Sequence, residues 1–266
     1  RLFDGLEHCR LTIHLIGQAN KQGELHSTRY NKWNAEERQY LFQCLDYVPA
    51  RQGVVTGSIP KLSSLHEADI VKKLDFQKAR LVDFYRKPSE HTIFYSRKVG
   101  YFLQVVDFVP EIHDGKGKLR SPSEFKELFF ADAQQAKCTL CCLNANLFYW
   151  FVTVFSDCRH VNKREVDAFP IDLQLLSKGP CGFQLAGLAS KLMKDIAAHS
   201  EIRKMNFQHD SLTVQCIFPK LSKPIIDEID RILAKHYGFT EEELDFIINY
   251  DIKYRMGQEG AEDSEE

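Results

Sequence analysis

Hydrophobic and polar positions alternate well enough over residues 9–16 (Cys-Arg-Leu-Thr-Ile-His-Leu-Ile) to predict a strand, and 25–30 is a second candidate. Asn34 then precedes Ala35-Glu36-Glu37-Arg38, an N-cap followed by acids in a first helical turn. Tyr40, Leu41, Cys44 and Leu45 recur at helical spacing, so 35–45 reads as a short amphipathic helix. Residues 47–63 hold prolines, glycines and hydroxyl side chains and read as a connection. A longer helix is predicted over 64–86, with Leu65, Ile70, Leu74, Leu81 and Phe84 on its apolar side and Pro88 as its stop.

From His91 the pattern changes. Residues 91–96 and 99–109 are rich in Ile, Val, Phe and Tyr and predict two strands about a turn at Arg97-Lys98. Residues 113–120 read as a mobile Gly/Lys loop, and 123–128 fits either a strand or a short helix. The strongest helix is 133–155, apolar almost all round and therefore buried. A polar, basic segment, 156–164, follows it. The last third predicts helices over 183–199, 222–236 and 240–249, with a strand at 212–218. The expected fold class is α+β: a small twisted antiparallel sheet around 91–109 with helices packed beside it and 133–155 as the central pillar.

Composition adds little to this. At 266 residues, 44% hydrophobic and 27% charged, the chain is long and apolar enough to bury a core. No apolar run approaches the roughly 20 residues of a membrane-spanning helix; the longest, Cys138 to Phe155, is interrupted by Asn144 and Asn146. The chain opens at Arg1 almost inside a strand pattern, which reads as a piece of something longer.

Net charge is −2, unevenly spread. The last eight residues hold five acids and no base and read as a solvated, disordered tail. Residues 51–131 carry 14 Lys/Arg against 10 Asp/Glu, a modest excess compatible with a polyanion. The eight cysteines are scattered, which suits reduced thiols and a cytoplasmic location better than a disulfide scaffold. Cys138-x-x-Cys141 with Cys158-x-His160 has a zinc-like spacing, but a buried helix is a poor source for the tight knuckle a structural site uses.

Catalytic signatures are missing. There is no GxGxxG, no GxxxxGK[ST], no HExxH and no GxSxG. Asp114 with Glu124 and Lys126 has the residue types of a metal-dependent nuclease, where two carboxylates hold the ion and a lysine steadies water. Asp114 nevertheless lies in a Gly/Lys loop rather than at a strand end. The stronger signal is basic residues interleaved with aromatics: Arg97, Lys98 and Tyr101, then Lys116, Lys118 and Arg120, then Arg159, His160, Asn162, Lys163 and Arg164. Lys and Arg neutralise phosphates, and Arg, His and Asn also meet base edges. Spacing alone leaves this level with simple capping of secondary elements.

Three segments tip that balance. Leu140-Cys-Cys-Leu-Asn-Ala-Asn-Leu-Phe-Tyr-Trp-Phe151, Asp157-Cys-Arg-His-Val-Asn-Lys-Arg164 and Phe169-Pro-Ile171 occur in this order. Together they resemble the C-terminal target-recognition region of bacterial type IIG-like restriction-modification adenine-specific DNA methyltransferases, with Ala145-Asn146 where that family commonly has Ser. Residues 10–16, Thr28-Arg-Tyr30, Trp33, Glu37-Arg38 and Leu41-Phe42 resemble the close of the methylase domain. Residues 238–257 resemble the end of the large restriction-methylase fusions.

The resemblance implies an enzyme that moves a methyl group from S-adenosylmethionine to N-6 of adenine. It implies that 1–50 is the remnant of an upstream α/β methyltransferase domain, 51–63 a linker, 64–257 the recognition domain and 258–266 a tail. The implied partners are double-stranded DNA and the upstream domain. The catalytic Asn/Asp-Pro-Pro-Tyr/Phe motif does not occur here. No catalytic residue is therefore assigned, and the chain itself is expected to bind DNA, not to methylate it. Two rivals stand beside this reading: a subunit-docking module built on the helices of 183–257, and the nuclease at Asp114, Glu124 and Lys126.

Overall fold

The computed structural model describes residues 12–14, 25–33, 35–51, 53–87, 89–207 and 211–257. Most of the strand read over 9–16, the cap at Asn34, the stop at Pro88 and the acidic tail lie outside these residues. The architecture is mixed, helices with small antiparallel sheets, as the patterning predicts.

The chain enters through β1 (His26–Ser27), which pairs antiparallel with β2 (Val48–Pro49). Between them Ala35–Cys44 forms a 3₁₀ helix rather than the amphipathic α-helix expected. Tyr40 and Phe42 are exposed, so no apolar face is held against a core to enforce α geometry. Among the described residues of 1–50 this pairing is the strand structure present, and it does not by itself show an α/β methyltransferase domain. The connection that follows is well anchored: Val54, Val55 and Leu62 are buried, and Ser58 Oγ donates to Phe155 O at 2.7 Å.

Helix α1 spans Leu65–Asp75, capped by Ser64, whose side chain accepts from Glu67 N. The predicted helix over 64–86 therefore stops eleven residues early. The chain turns so that Ile171 N reaches Ala79 O (3.2 Å) and Leu81 N reaches Phe169 O (3.0 Å). Leu81 and Phe84 keep the helical spacing because Leu81–Phe84 is its own 3₁₀ turn.

Strand β3 (His91–Ser96) is the centre of a three-stranded antiparallel sheet, between β4 (Val105–Val106) and a later partner. The strand expected over 99–109 shrinks to those two residues of β4. The expected loop over 113–120 is a hairpin, β5 (Ile112–Asp114) with β6 (Leu119–Arg120), closed through the positive-φ Gly117. The segment left open at 123–128 is strand β7 (Phe125–Phe130), which completes the first sheet along the whole of β3.

The helix predicted over 133–155 is two helices, α2 (Ala133–Asn144) and α3 (Asn146–Phe155), bent by 64° at Ala145. An unbroken helix would send Asn146 N to Cys142 O. Instead Ala145 N takes Cys142 O, while Asn146 N and Leu147 N donate to the carboxylate of Asp230 at 3.0 Å each. On the other side of the bend, Asn144 acts like a strand residue. Its amide donates to Val105 O at 2.7 Å and its carbonyl accepts from Val105 N at 3.2 Å. The two asparagines that interrupt the apolar run thus anchor the bend.

Helices α4 (Lys163–Ala168), α5 (Leu173–Lys178) and α6 (Pro180–Ala198) follow. Strands β8 (Glu201–Asn206) and β9 (Ser211–Cys216) then pair along their full length. The chain finishes with α7 (Lys223–Tyr237), α8 (Glu241–Asn249) and α9 (Ile252–Arg255). Strand β9 also pairs with β5, giving a second antiparallel sheet in the order β6-β5-β9-β8.

All ten residues of α3 are buried, as the reading of a central pillar requires. Phe148 and Phe151 meet the Phe169 ring edge-on at 5.1 and 5.2 Å. Trp150 Nε1 donates to Glu67 Oε1 at 3.1 Å, and the other oxygen of that buried carboxylate takes Ser63 N and Oγ. Helices α2, α7 and α8 pack against this pillar, α6 packs on α2 and α7, and the β4-β3-β7 sheet lies against α2. Among the described residues no single helix is long and apolar enough to cross a membrane; α2 and α3 would suffice in composition only as a pair, and they are bent and buried.

The segment 25–33 is tied to the C-terminal end. Arg29 and Lys32 both pair with the buried Asp251 at 2.9 Å. The Lys32 ammonium also lies over the rings of Tyr101 (4.6 Å) and Tyr254 (5.2 Å).

Candidate nucleic-acid interface

The basic positions singled out in the sequence fall in three places. The first is built where β3 ends. Val161 N donates to Arg97 O at 2.8 Å, and Lys98 and His160 form an antiparallel bridge. Two clusters some 60 residues apart in the chain therefore share one edge: Arg97 and Lys98 from one side, Arg159, His160 and Asn162 from the other.

Local chemistry fixes the turn that presents Arg159. Asp157 Oδ1 accepts from Arg159 N (2.8 Å) and His160 N (3.0 Å), an Asx turn. Ser156 Oγ accepts from Cys158 N, and Cys158 sits at φ 58°. Beneath this turn Lys61 Nζ donates to Val154 O (2.9 Å) and Ser156 O (2.7 Å), closing the C-terminus of α3. Burial pushes the Lys61 ammonium down from its ordinary range, against the pull of Cys158, Asp157 and Glu165. The side chains of Lys98 and Arg159 stand exposed on this rigid support.

Lys163 and Arg164 lie at the same turn but have internal partners. Lys163 pairs with Asp167 at 2.6 Å and lies over the Tyr85 ring at 5.0 Å. Arg164 holds Glu165 Oε1 through Nη2 (2.7 Å) and Nε (3.0 Å). Glu165 is fully buried while Arg164 is half exposed, at 51%. The guanidinium is thus the main compensation for a buried carboxylate, and removing it leaves that charge unpaired.

The second place is the β5–β6 hairpin, which carries Lys116, Lys118 and Arg120 on its exposed turn and second strand. Asp114 organises it. Its Oδ1 accepts from Lys118 N (2.9 Å) and Lys116 N (3.0 Å), and Arg120 lies 3.8 Å from its other oxygen. The Lys118 and Lys116 N–H groups and the nearby cations hold this carboxyl below its ordinary value. Asp114 therefore acts as the hairpin's internal acceptor, while Glu124 marks where the hairpin returns to the first place: Glu124 O accepts from Arg97 N at 2.9 Å. Three residues lie between Arg120 and Glu124, so the two places are within about 14 Å along the chain.

Tyr101 belongs to the third place, the junction with the N-terminal segment. Its ring is covered by Lys32 and its carbonyl accepts from Arg255 Nε at 2.8 Å. The structure thus gives it a packing role between the two ends of the described chain.

The cysteines of the zinc-like spacing point to separate carbonyls. Cys138 faces Gly182 O at 3.8 Å, Cys141 donates to Leu185 O at 3.2 Å and Cys158 to Thr153 O at 3.3 Å. Burial pushes the Cys138 thiol up to about 12 and raises Cys141 and Cys142 well above the thiol range. Among the described residues no three His, Cys, Asp or Glu side chains are grouped to hold a metal ion.

Sequence reasoning missed Arg203 and Lys204, which lie on β8, the outer strand of the hairpin's own sheet. Residues 201–206 show no apolar alternation that would mark a strand. Comparison with protein-family models, curated proteins and solved structures gives no match.

Proposed function

We propose that this chain is the target-recognition region of a restriction-modification N-6 adenine DNA methyltransferase, and that its own task is to grip double-stranded DNA. On this reading an upstream methyltransferase domain binds S-adenosylmethionine and performs the methyl transfer. This chain would hold the duplex while the target adenine is flipped into that domain.

The observation that carries the reading is the shared edge at Lys98 and His160. It joins two basic clusters that the sequence keeps far apart, and it rests them on a buried helix end. Lysines there suit phosphates, and Arg159, His160 and Asn162 suit base edges or sugar-phosphate contacts. The docking-module alternative is less well supported, because α6 turns Leu185, Ala189, Leu192 and Ile196 into the chain's own core.

The test is fluorescence anisotropy with a mixed-sequence duplex at several salt concentrations. Affinity should fall steeply with salt, and Lys98→Ala/Arg159→Ala should lower the slope of log affinity against log salt by about two. A folded double variant with the native slope would remove this edge from the interface. Arg164 is left intact in this test because its loss strands Glu165.

A further inference from the structure

The β6-β5-β9-β8 sheet is unlike the rest of the molecule. None of the residues in its four strands is buried: β8 is exposed throughout and β9 is half-buried throughout. An antiparallel sheet in a folded chain ordinarily covers at least one face. Here both remain accessible, and β8 forms an outer edge whose neighbour on one side only is β9.

Register separates the two faces. Lys204, Thr213 and His113 lie in one row across three strands, because Lys204 is opposite Thr213 and Thr213 is opposite His113. Asn206 and Ser211 form the next row on that face. The opposite face carries Met205, Leu212, Val214 and Ile112 together with Asp114, Arg120 and Glu201, and the Arg203 guanidinium is laid over Phe218 at 4.8 Å. The first face therefore gathers Lys204, Thr213, His113, Asn206 and Ser211 as donors and acceptors, with the exposed Ile202 and Leu119 beside them, and the opposite face is mixed.

Charge favours a polyanion. Residues 112–120 and 201–216 carry five Lys/Arg and three Asp/Glu, while the whole chain is at −2. Two of those acids are engaged internally: Asp114 closes the hairpin turn, and Glu201 pairs with Arg203 at 3.0 Å. Paired strands lie about 5 Å apart, and a two-stranded ribbon fits a major groove about 12 Å wide.

We infer that this sheet is the sequence-reading element: the β8–β9 ribbon enters the DNA major groove with Lys204, Asn206 and Thr213 toward base edges, while Lys116 and Lys118 sit on flanking phosphates. The inference rests on the DNA-recognition reading above and adds to it which surface reads and which surface holds.

The experiment first selects a preferred duplex for the wild-type chain from a randomised pool. Binding of that duplex and of an unrelated one is then measured for two variants, with the urea midpoint as a check on folding. Lys204→Ala/Asn206→Ala should weaken the selected duplex about tenfold or more and leave the unrelated one unchanged. Lys116→Ala/Lys118→Ala should weaken both equally and lower the salt slope by about two. A folded Lys204→Ala/Asn206→Ala variant that binds both duplexes as before, or weakens both equally, overturns the groove assignment while leaving DNA binding intact. So does a wild-type chain that binds DNA but selects no sequence. A wild-type chain that binds no duplex at all overturns the recognition reading and this inference together.

Discussion

Asp230 decides how the central helices are joined, and it does so at an electrostatic cost. It is buried, with Asn146 N, Asn146 Nδ2 and Leu147 N donating to it at 3.0, 2.7 and 3.0 Å. Burial pushes its carboxyl up from the ordinary 3.8 to about 6; these donors pull the other way, and the nearby Asp227 adds to the rise. The sign of the consequence follows from linkage. Between about pH 4 and pH 6 the folded protein keeps a proton that the unfolded chain has already released. This residue therefore lowers stability as pH rises through that window, opposite to a salt-bridged carboxylate. A carbon NMR titration of the Asp230 carboxyl should show a midpoint near 6. A midpoint near the ordinary value would mean that the three donors fully offset burial.

At the scale of elements, the tightest junction is between α5 and α6. A Cβ on Gly182 would come within 2.7 Å of Ser177 O and closer still to Leu176 O. Gly182 O also accepts from Gln134 on α2 at 2.7 Å, so α6 cannot slide away freely. Gly182→Ala should cost about 1–3 kcal/mol of stability, read as a lower urea midpoint at unchanged slope. An unchanged midpoint would show that the six-residue α5 yields.

This junction also shows what the sequence could and could not display. Helix α7 was legible because Ile225, Ile226, Ile229 and Leu233 make a stripe, and α8 because Thr240 and Glu243 form a capping box. Strand β3 was legible from its Ile, Phe and Tyr. The bend at Ala145 was not, since its cap comes from Asp230, 84 residues away in the chain. Strand β8 was not, since a strand with neither face covered needs no apolar alternation. The basic clusters were visible singly, but their meeting depends on the contact of Val161 with Arg97. The pairing of Lys163 with Asp167 follows an ordinary i,i+4 spacing and was open to reading from the start.

Taken as a whole, the molecule has a buried helical pillar and a sheet that stands clear of it. Amide exchange should separate the two. The α3 amides should exchange only through global opening, while those of β8 exchange by local opening, on the order of 100-fold faster or more. Equal protection would mean that the sheet and pillar open as one unit. The pairing of β5 with β9 has a further consequence, in time rather than in energy. Ile112 pairs with Val214, whereas β3 and β7 meet within 40 residues of one another. During synthesis at about 5–20 residues per second, the β5–β6 hairpin leaves the ribosome roughly 5–20 s before the strand that pairs with it. A nascent chain halted shortly after β7 has emerged would already hold the first sheet, and would carry beside it a hairpin whose inner edge is still open to a chaperone or to a neighbouring nascent chain.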